Sequence, residues 1–172
     1  APPGRIQLEI GIQSVHRDVL TSVGRIADPE KTSQKVMDLV AMGNLILHLD
    51  LIAGLPGESF ERFASSFDQT YRLRPAALQT GILKILQGTR MEQIARQRGY
   101  RYSPVPPYRV FATDTISAEE MYRIEDIGKL VDRYHNSGAF PAMLRTALPE
   151  GVSAFGFFDR LGIAWRERGL FD

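Results

Sequence analysis

The chain has 172 residues, 44% of them apolar and 24% charged, with no cysteine and a formal net charge of +1. A chain of this length buries roughly 70% of the surface it exposes when unfolded, so a core forms without staples, and the composition excludes disorder, collagen and low complexity. Without cysteine the chain cannot build a disulfide scaffold, a thiolate zinc site or an iron–sulfur cluster on its own ligands, and the near-zero charge gives no electrostatic case for nucleic acid or an anionic membrane.

No segment reads as a membrane span. The longest apolar run, Leu45–Ala53, is interrupted by His48 and Asp50 and falls far short of the ~20 residues a spanning helix needs. The first residues, Ala1-Pro-Pro-Gly-Arg5, lack an initiator Met and the charged-then-apolar pattern of a signal peptide, which reads as the cut end of a longer protein in the cytoplasm.

Residues 6–14 alternate strictly: Ile6, Leu8, Ile10 and Ile12 point one way, and Gln7, Glu9, Gly11 and Gln13 the other. Period two predicts a strand. A short helix follows, with Ser14 as its N-cap and Gly24 near its end. Asp28-Pro29-Glu30 predicts a helix start, combining a capping side chain, proline in the first turn and an acid near the positive dipole end. That helix ends at Gly43-Asn44. Leu45–Ala53 is a second strand, with Leu45, Leu47, Leu49 and Leu51 on one face and Ile46, His48, Asp50 and Ile52 on the other.

Gly54-Leu-Pro-Gly57 predicts a turn. It lacks the lysine and the spacing of a phosphate loop. Phe60, Phe63, Phe67 and Tyr71 then form an aromatic stripe on a helix that docks on the sheet and stops before Pro75. Residues 78–86 are a third strand. Thr89 with Glu92, and later Ser117 with Glu120, predict capping boxes opening two more helices. Residues 100–108, rich in Pro and Tyr, predict loop or extended chain, and the last stretch is helical and apolar.

Three βα units at this spacing predict parallel strands with right-handed crossovers. The expected fold is α/β: a partial (β/α) barrel of about three parallel units over residues 1–98, with a loop-rich and then mainly helical C-terminal appendage over 99–172. The first strand, without a preceding neighbour, would leave an edge open to self-association or covered by the tail.

Parallel strands buried on both faces are apolar throughout, yet Glu9 and Gln13, and His48 and Asp50, give these two strands a polar face. Such a face lines a lumen or cleft, and ligands of α/β folds bind at the C-terminal ends of the strands. Gln13 and Asp50 sit there, with Arg25 in the loop after the first unit. An amide, a carboxylate and a guanidinium together suit a zwitterionic small ligand. Plainer roles stand beside this one: an Asp at a strand end also serves as a helix cap or loop anchor, and a loop arginine as a solvated charge. His16 reads as a surface residue, His48 as a packed, hydrogen-bonded one, and His135 as a cation at a helix C-terminus. No His, Asp or Glu cluster has metal-ligand spacing, and no serine stands in a nucleophile-elbow context.

Glu9-Ile-Gly-Ile-Gln-Ser14, Val19-Leu20, Gly24-Arg25 and Leu49-Asp-Leu-Ile-Ala-Gly-Leu-Pro-Gly-Glu58 resemble the second half of the radical S-adenosylmethionine catalytic barrel, in its coproporphyrinogen dehydrogenase and tRNA-modifying branches. The resemblance covers residues 6–89. Downstream, Leu83-Lys-Ile-Leu-Gln-Gly-Thr89, Pro106-Pro-Tyr108 and Tyr134-His-Asn-Ser-Gly-Ala-Phe140 are similar to radical S-adenosylmethionine proteins that carry a cobalamin domain, related to the anaerobic magnesium-protoporphyrin monomethyl ester cyclase.

The resemblance implies that Gln13, Arg25 and Asp50 contact S-adenosylmethionine, Arg25 through the methionyl carboxylate, and that Lys84 adds a contact on the next strand. Glu9 and His48 would face the substrate. It implies a parent enzyme with a [4Fe–4S] cluster and, for the cobalamin branch, cobalamin. The family's C-x3-C-x2-C cluster motif is absent, as are its early strands, so this fragment alone is expected to be inactive. Gly24 stands where Asn often precedes the arginine. The other reading of the residues is a self-contained α/β small-ligand-binding or scaffold domain without radical chemistry.

Overall fold

The structure is a computed structural model that describes Pro2 and residues 4–171. Strands β1 (Ile6–Gln13), β2 (Leu45–Ala53) and β3 (Ala77–Ile82) form one parallel sheet in chain order. Helices α1 (Arg17–Ser22) and α2 (Pro29–Ala41) link β1 to β2, and α3 (Phe60–Arg72) links β2 to β3. This is the expected partial (β/α) barrel. Alternation along β2 sets its orientation: Leu47, Leu49, Leu51 and Ala53 are buried under the helices, while His48, Asp50 and Ile52 stay half-exposed on the other face. Phe63 and Phe67 of α3 pack in the core with those leucines. The start predicted at Asp28 holds, since its carboxylate accepts from the Lys31 N–H, and α3 has a cap that the sequence reading did not name, Ser59 Oγ accepting from the Arg62 N–H.

The third strand is shorter than its sequence pattern. β2 ends at Ala53, whose carbonyl accepts from the Leu83 N–H at 3.0 Å, and Gly54 turns away with φ +93°. Beyond that point the sheet offers no parallel partner. The chain turns instead to an antiparallel one: the Leu83 carbonyl accepts from the Val110 N–H, and the Ile85 N–H donates to the Tyr108 carbonyl. The stretch expected to be loop or extended chain opens with β4 (Arg101–Tyr102), which pairs antiparallel with β5 (Val110–Ala112) just beyond it.

Several side chains take other partners than their local sequence predicts. Ser14 does not cap α1; it is drawn to a carboxyl on the next unit. His16 is half-buried, its Nε2 bonded to the Arg62 carbonyl at 3.0 Å. Thr89 caps α4 (Arg90–Gln97), but the Glu92 carboxylate takes the Gly88 N–H, leaving that box half-closed. Ser117 and Glu120 close theirs in both directions at the start of α5 (Ala118–Val131). His135 is no helix-end cation. Its Nε2 meets the Pro75 carbonyl, its ring lies 4.9 Å from that of Tyr71, and burial lowers its pKa.

After α5 comes a π-helical turn (Asp132–Asn136), then α6 (Pro141–Ala147) and α7 (Ala154–Glu167). Phe155 of α7 meets Phe60, Phe63 and Phe67 edge-on at 5.2–6.2 Å between ring centroids. Arg123 pairs with Asp159 at 2.6 Å, and Arg166 with Asp126. Helix α5 and the π turn lie against β3. The Asn136 amide donates to the Leu78 carbonyl at 3.0 Å and accepts from the Leu78 N–H at 2.9 Å, so it stands in for a neighbouring strand. The C-terminal region thus covers the β3 edge and not, as one expectation had it, the β1 edge.

Asn136→Ala leaves both Leu78 groups unpartnered at a part-buried edge, and a loss of about 1–3 kcal/mol is expected in urea unfolding. Asn136→Asp keeps the acceptor but faces the Leu78 carbonyl with a charge, and should be no more stable than the alanine variant.

Candidate functional site

Two backbone devices aim the polar side chains at the C-terminal end of the sheet. The first ends α1. The Gly24 N–H bonds to the Thr21 carbonyl and the Arg25 N–H to the Leu20 carbonyl, both at 2.9 Å, with Gly24 at φ +78°. This is the double bond pattern of a Schellman cap, and it requires the left-handed conformation that glycine adopts without strain. It launches Arg25 back over β1, where Nη2 donates to the Gly11 carbonyl at 2.5 Å. The second device ends β1. Gln13 has φ +65°, and the Ser14 N–H bonds back to the Ile12 carbonyl at 2.9 Å. This tight turn shifts the register with β2. A non-glycine residue held at positive φ is strained and persists only where its surroundings hold it.

Together they form a cavity of about 530 Å³, lined by Gln13, Arg25, Arg90 and a set of apolar side chains that includes Ile52, Leu55, Met91 and Ile94. Gln13 and Arg25 thus share one cavity. Asp50 does not line it. It lies deeper on the same face, opposite Gly11 in the register, beneath the Arg25 anchor. Lys84 is exposed and bridges to Arg109, while its neighbour Leu83 forms the wall.

The rest of the open face is polar. Glu9 pairs in register with His48, and Gly11 and Gln79 flank Asp50. Gln7 Nε2 lies 3.2 Å from His48 Nδ1. Burial raises the Asp50 pKa, the Glu9 charge raises it further, and His48 opposes both. Among the described residues no three His, Asp or Glu side chains are placed to hold a metal ion, and no helix is long and apolar enough to cross a membrane.

Two residues of the site escape local sequence reading. Arg90 opens α4 immediately beyond β3, and the rule that sites gather at strand C-terminal ends is the signal that finds it. Glu58 stands just before the α3 cap and looks like an ordinary acid at a helix start. It is fully buried. Its Oε1 accepts from Ser14 Oγ at 2.6 Å and from Ser66 Oγ at 3.0 Å, while Oε2 is buried without a partner. Glu58 thereby ties the strained end of β1 to α3. Burial pushes its carboxyl up to about 7 from the ordinary 4.5, against the pull of the two serines and Arg62.

A raised carboxyl pKa makes the folded state the better proton binder. Its contribution to stability is complete below about 4.5, declines as the unfolded carboxyl ionises, and is lost once the pH passes about 7. Glu58→Gln carries no such proton. Between acid and mildly alkaline pH its unfolding free energy should gain on the wild type by about 3 kcal/mol. Denaturant titrations across that range check this, and a constant difference would exclude the buried proton.

The site and fold define a partial (β/α) barrel with a small-ligand cavity at its strand ends, and comparisons with known proteins place that class. The chain is 31% identical over 85 residues to the oxygen-independent coproporphyrinogen-III oxidase-like protein HemZ of Bacillus subtilis, covering 49% of this chain and 17% of that protein. It spans less than a fifth of the length of the curated relatives it matches. The fold matches that of the archaeal Methanocaldococcus infernus Elp3, with a TM-score of 0.56 and 17% identity over 97% of this chain and 37% of that one. It also matches the radical S-adenosylmethionine methyltransferase TsrM from Kitasatospora setae, solved with cobalamin and a [4Fe–4S] cluster, with a TM-score of 0.53 and 13% identity over 95% of this chain and 40% of that one. Residues 96–172 match a family described as a protein of unknown function (DUF4080). The HemZ match over about half of the chain, and the fold shared with Elp3 and TsrM, accord with the resemblance to the radical S-adenosylmethionine superfamily.

Proposed function

We propose that this chain supplies S-adenosylmethionine contacts in a radical S-adenosylmethionine enzyme. The observation that carries the reading is the strand-end cavity in which Gln13 and Arg25 share a polar wall against an apolar one. Its volume lies within the ~300–1,000 Å³ of small-molecule sites. The donor set suits a zwitterion with a flat apolar body. Arg25, braced on the Gly11 carbonyl, takes the methionyl carboxylate as a charge-assisted pair. The Gln13 amide donates and accepts beside it. Asp50, deeper and short of positive partners, welcomes a cationic or hydroxyl donor. Ile52, Leu55, Met91 and Ile94 receive the adenine ring. Lys84 contributes through backbone next to the Leu83 wall, and Glu9 and His48 face the substrate.

When bound, S-adenosylmethionine supplies a 5′-deoxyadenosyl radical on reductive cleavage, and that radical abstracts hydrogen from a substrate. The residues of this chain bind and orient the cofactor. They do not fit the iron–sulfur cluster, because the chain has no thiolate to ligate it.

In the reconstituted full-length enzyme, Arg25→Ala should weaken S-adenosylmethionine binding by about 1.5–3 kcal/mol with fold and cluster content intact. Calorimetric titration decides this. Unchanged affinity removes the carboxylate clamp.

A further inference from the structure

The cavity holds more positive charge than one clamp explains. Arg25 and Arg90 both line it, and no acidic residue does. Among the described residues no carboxylate pairs with Arg90, whereas Arg96, Arg98, Arg109 and Arg123 nearby in the chain each have one. Arg90 belongs to α4, yet its guanidinium reaches across to the loop that presents Arg25. Its Nη1 lies 3.7 Å from the point where a side chain on Gly24 would begin. The Arg90 guanidinium therefore lies in van der Waals reach of the Gly24 turn that launches Arg25. Two like charges brought to one cavity repel each other, and the arrangement is favourable only when an anion lies between or beside them.

We propose that Arg90 is a second carboxylate-binding residue of this site, gripping the ligand's carboxylate from the α4 side while Arg25 grips it from the β1 side. The inference rests on the S-adenosylmethionine reading above. An ionised carboxylate has about four acceptor positions. Arg25 has already committed one N–H to the Gly11 carbonyl, so a single guanidinium leaves the carboxylate under-bonded, and Arg90 supplies the remaining donors. The pair also orients the ligand. Two cations at the mouth hold the carboxylate there, and Asp50 on the sheet face draws the cationic groups inward. Arg90 thus sets specificity for a ligand that keeps its carboxylate.

The test compares S-adenosylmethionine with decarboxylated S-adenosylmethionine, which lacks only that group, by calorimetry on the full-length protein with its cluster. Wild type should prefer the carboxylated ligand. Arg90→Ala should lower that preference at least tenfold with little change in affinity for the decarboxylated ligand, and Arg90→Lys should restore part of it. Arg90 is exposed, so the variants should melt as wild type does. If Arg90→Ala weakens both ligands equally, the residue only shapes the wall and the inference is overturned. If Arg25→Ala erodes the preference and Arg90→Ala does not, the inference fails while the cofactor reading stands. If wild type binds both alike, no carboxylate clamp operates and the inference is overturned while the cofactor reading stands; if it binds neither, the cofactor reading itself fails and the inference falls with it.

Discussion

The arrangement at the strand ends depends on one buried carboxyl. Glu58 joins Ser14, at the exit of β1, to Ser66, in the middle of α3. The two serines are separated by 52 residues and belong to successive βα units. Without this knot nothing in β1 itself would hold Gln13 at positive φ, because the strained turn costs free energy on the order of 1–3 kcal/mol. With it, the end of the strand is bonded on three sides: to its own Ile12 carbonyl, to Glu58, and through the Val15 N–H to Ser66 Oγ. The Gln13 amide, and the path by which the chain enters α1 and reaches Arg25, follow from that anchorage. Burying an acid costs least when the acid is protonated, so the same residue that orders the site makes its order sensitive to pH.

Local patterns carried the fold a long way. The alternation in Leu45–Ala53 put Leu47, Leu49 and Leu51 under the helices and Asp50 on the open face, because a period of two leaves a strand no other way to bury leucine. Asp28-Pro29 and Ser117 with Glu120 marked helix starts because their capping bonds span only a few residues. What failed was what depends on distant partners. The end of β3 is decided by where β2 stops, some thirty residues earlier in the chain. Ser14 is claimed by Glu58 rather than by the helix it precedes. His135 is neutralised by burial against Tyr71 and Pro75, neither of them its neighbour in sequence.

The candidate site divides along the same line. Gln13 and Arg25 meet at one strand-end cavity, as the rule for strand ends led one to expect, whereas Asp50, Glu9 and His48 lie on the open face where alternation put them but outside that cavity. Lys84 was offered only by the family resemblance. The chain leaves the parallel sheet just before it, and the side chain turns away from the cavity. Arg90 could not be read locally, since its guanidinium crosses a gap between elements whose separation only the folded chain defines.

The two margins of the sheet differ in kind. On one side the Asn136 amide, presented by a π-helical turn, occupies the hydrogen-bonding groups of Leu78. On the other, β1 has no partner beyond β2 among the described strands. The sheet is therefore directional: β3 is closed, so a further strand, whether from the same chain or another, has room only beside β1. A one-residue change in the length of the 132–136 turn would rotate Asn136 around its helix and away from Leu78, and would reopen the edge that its amide closes.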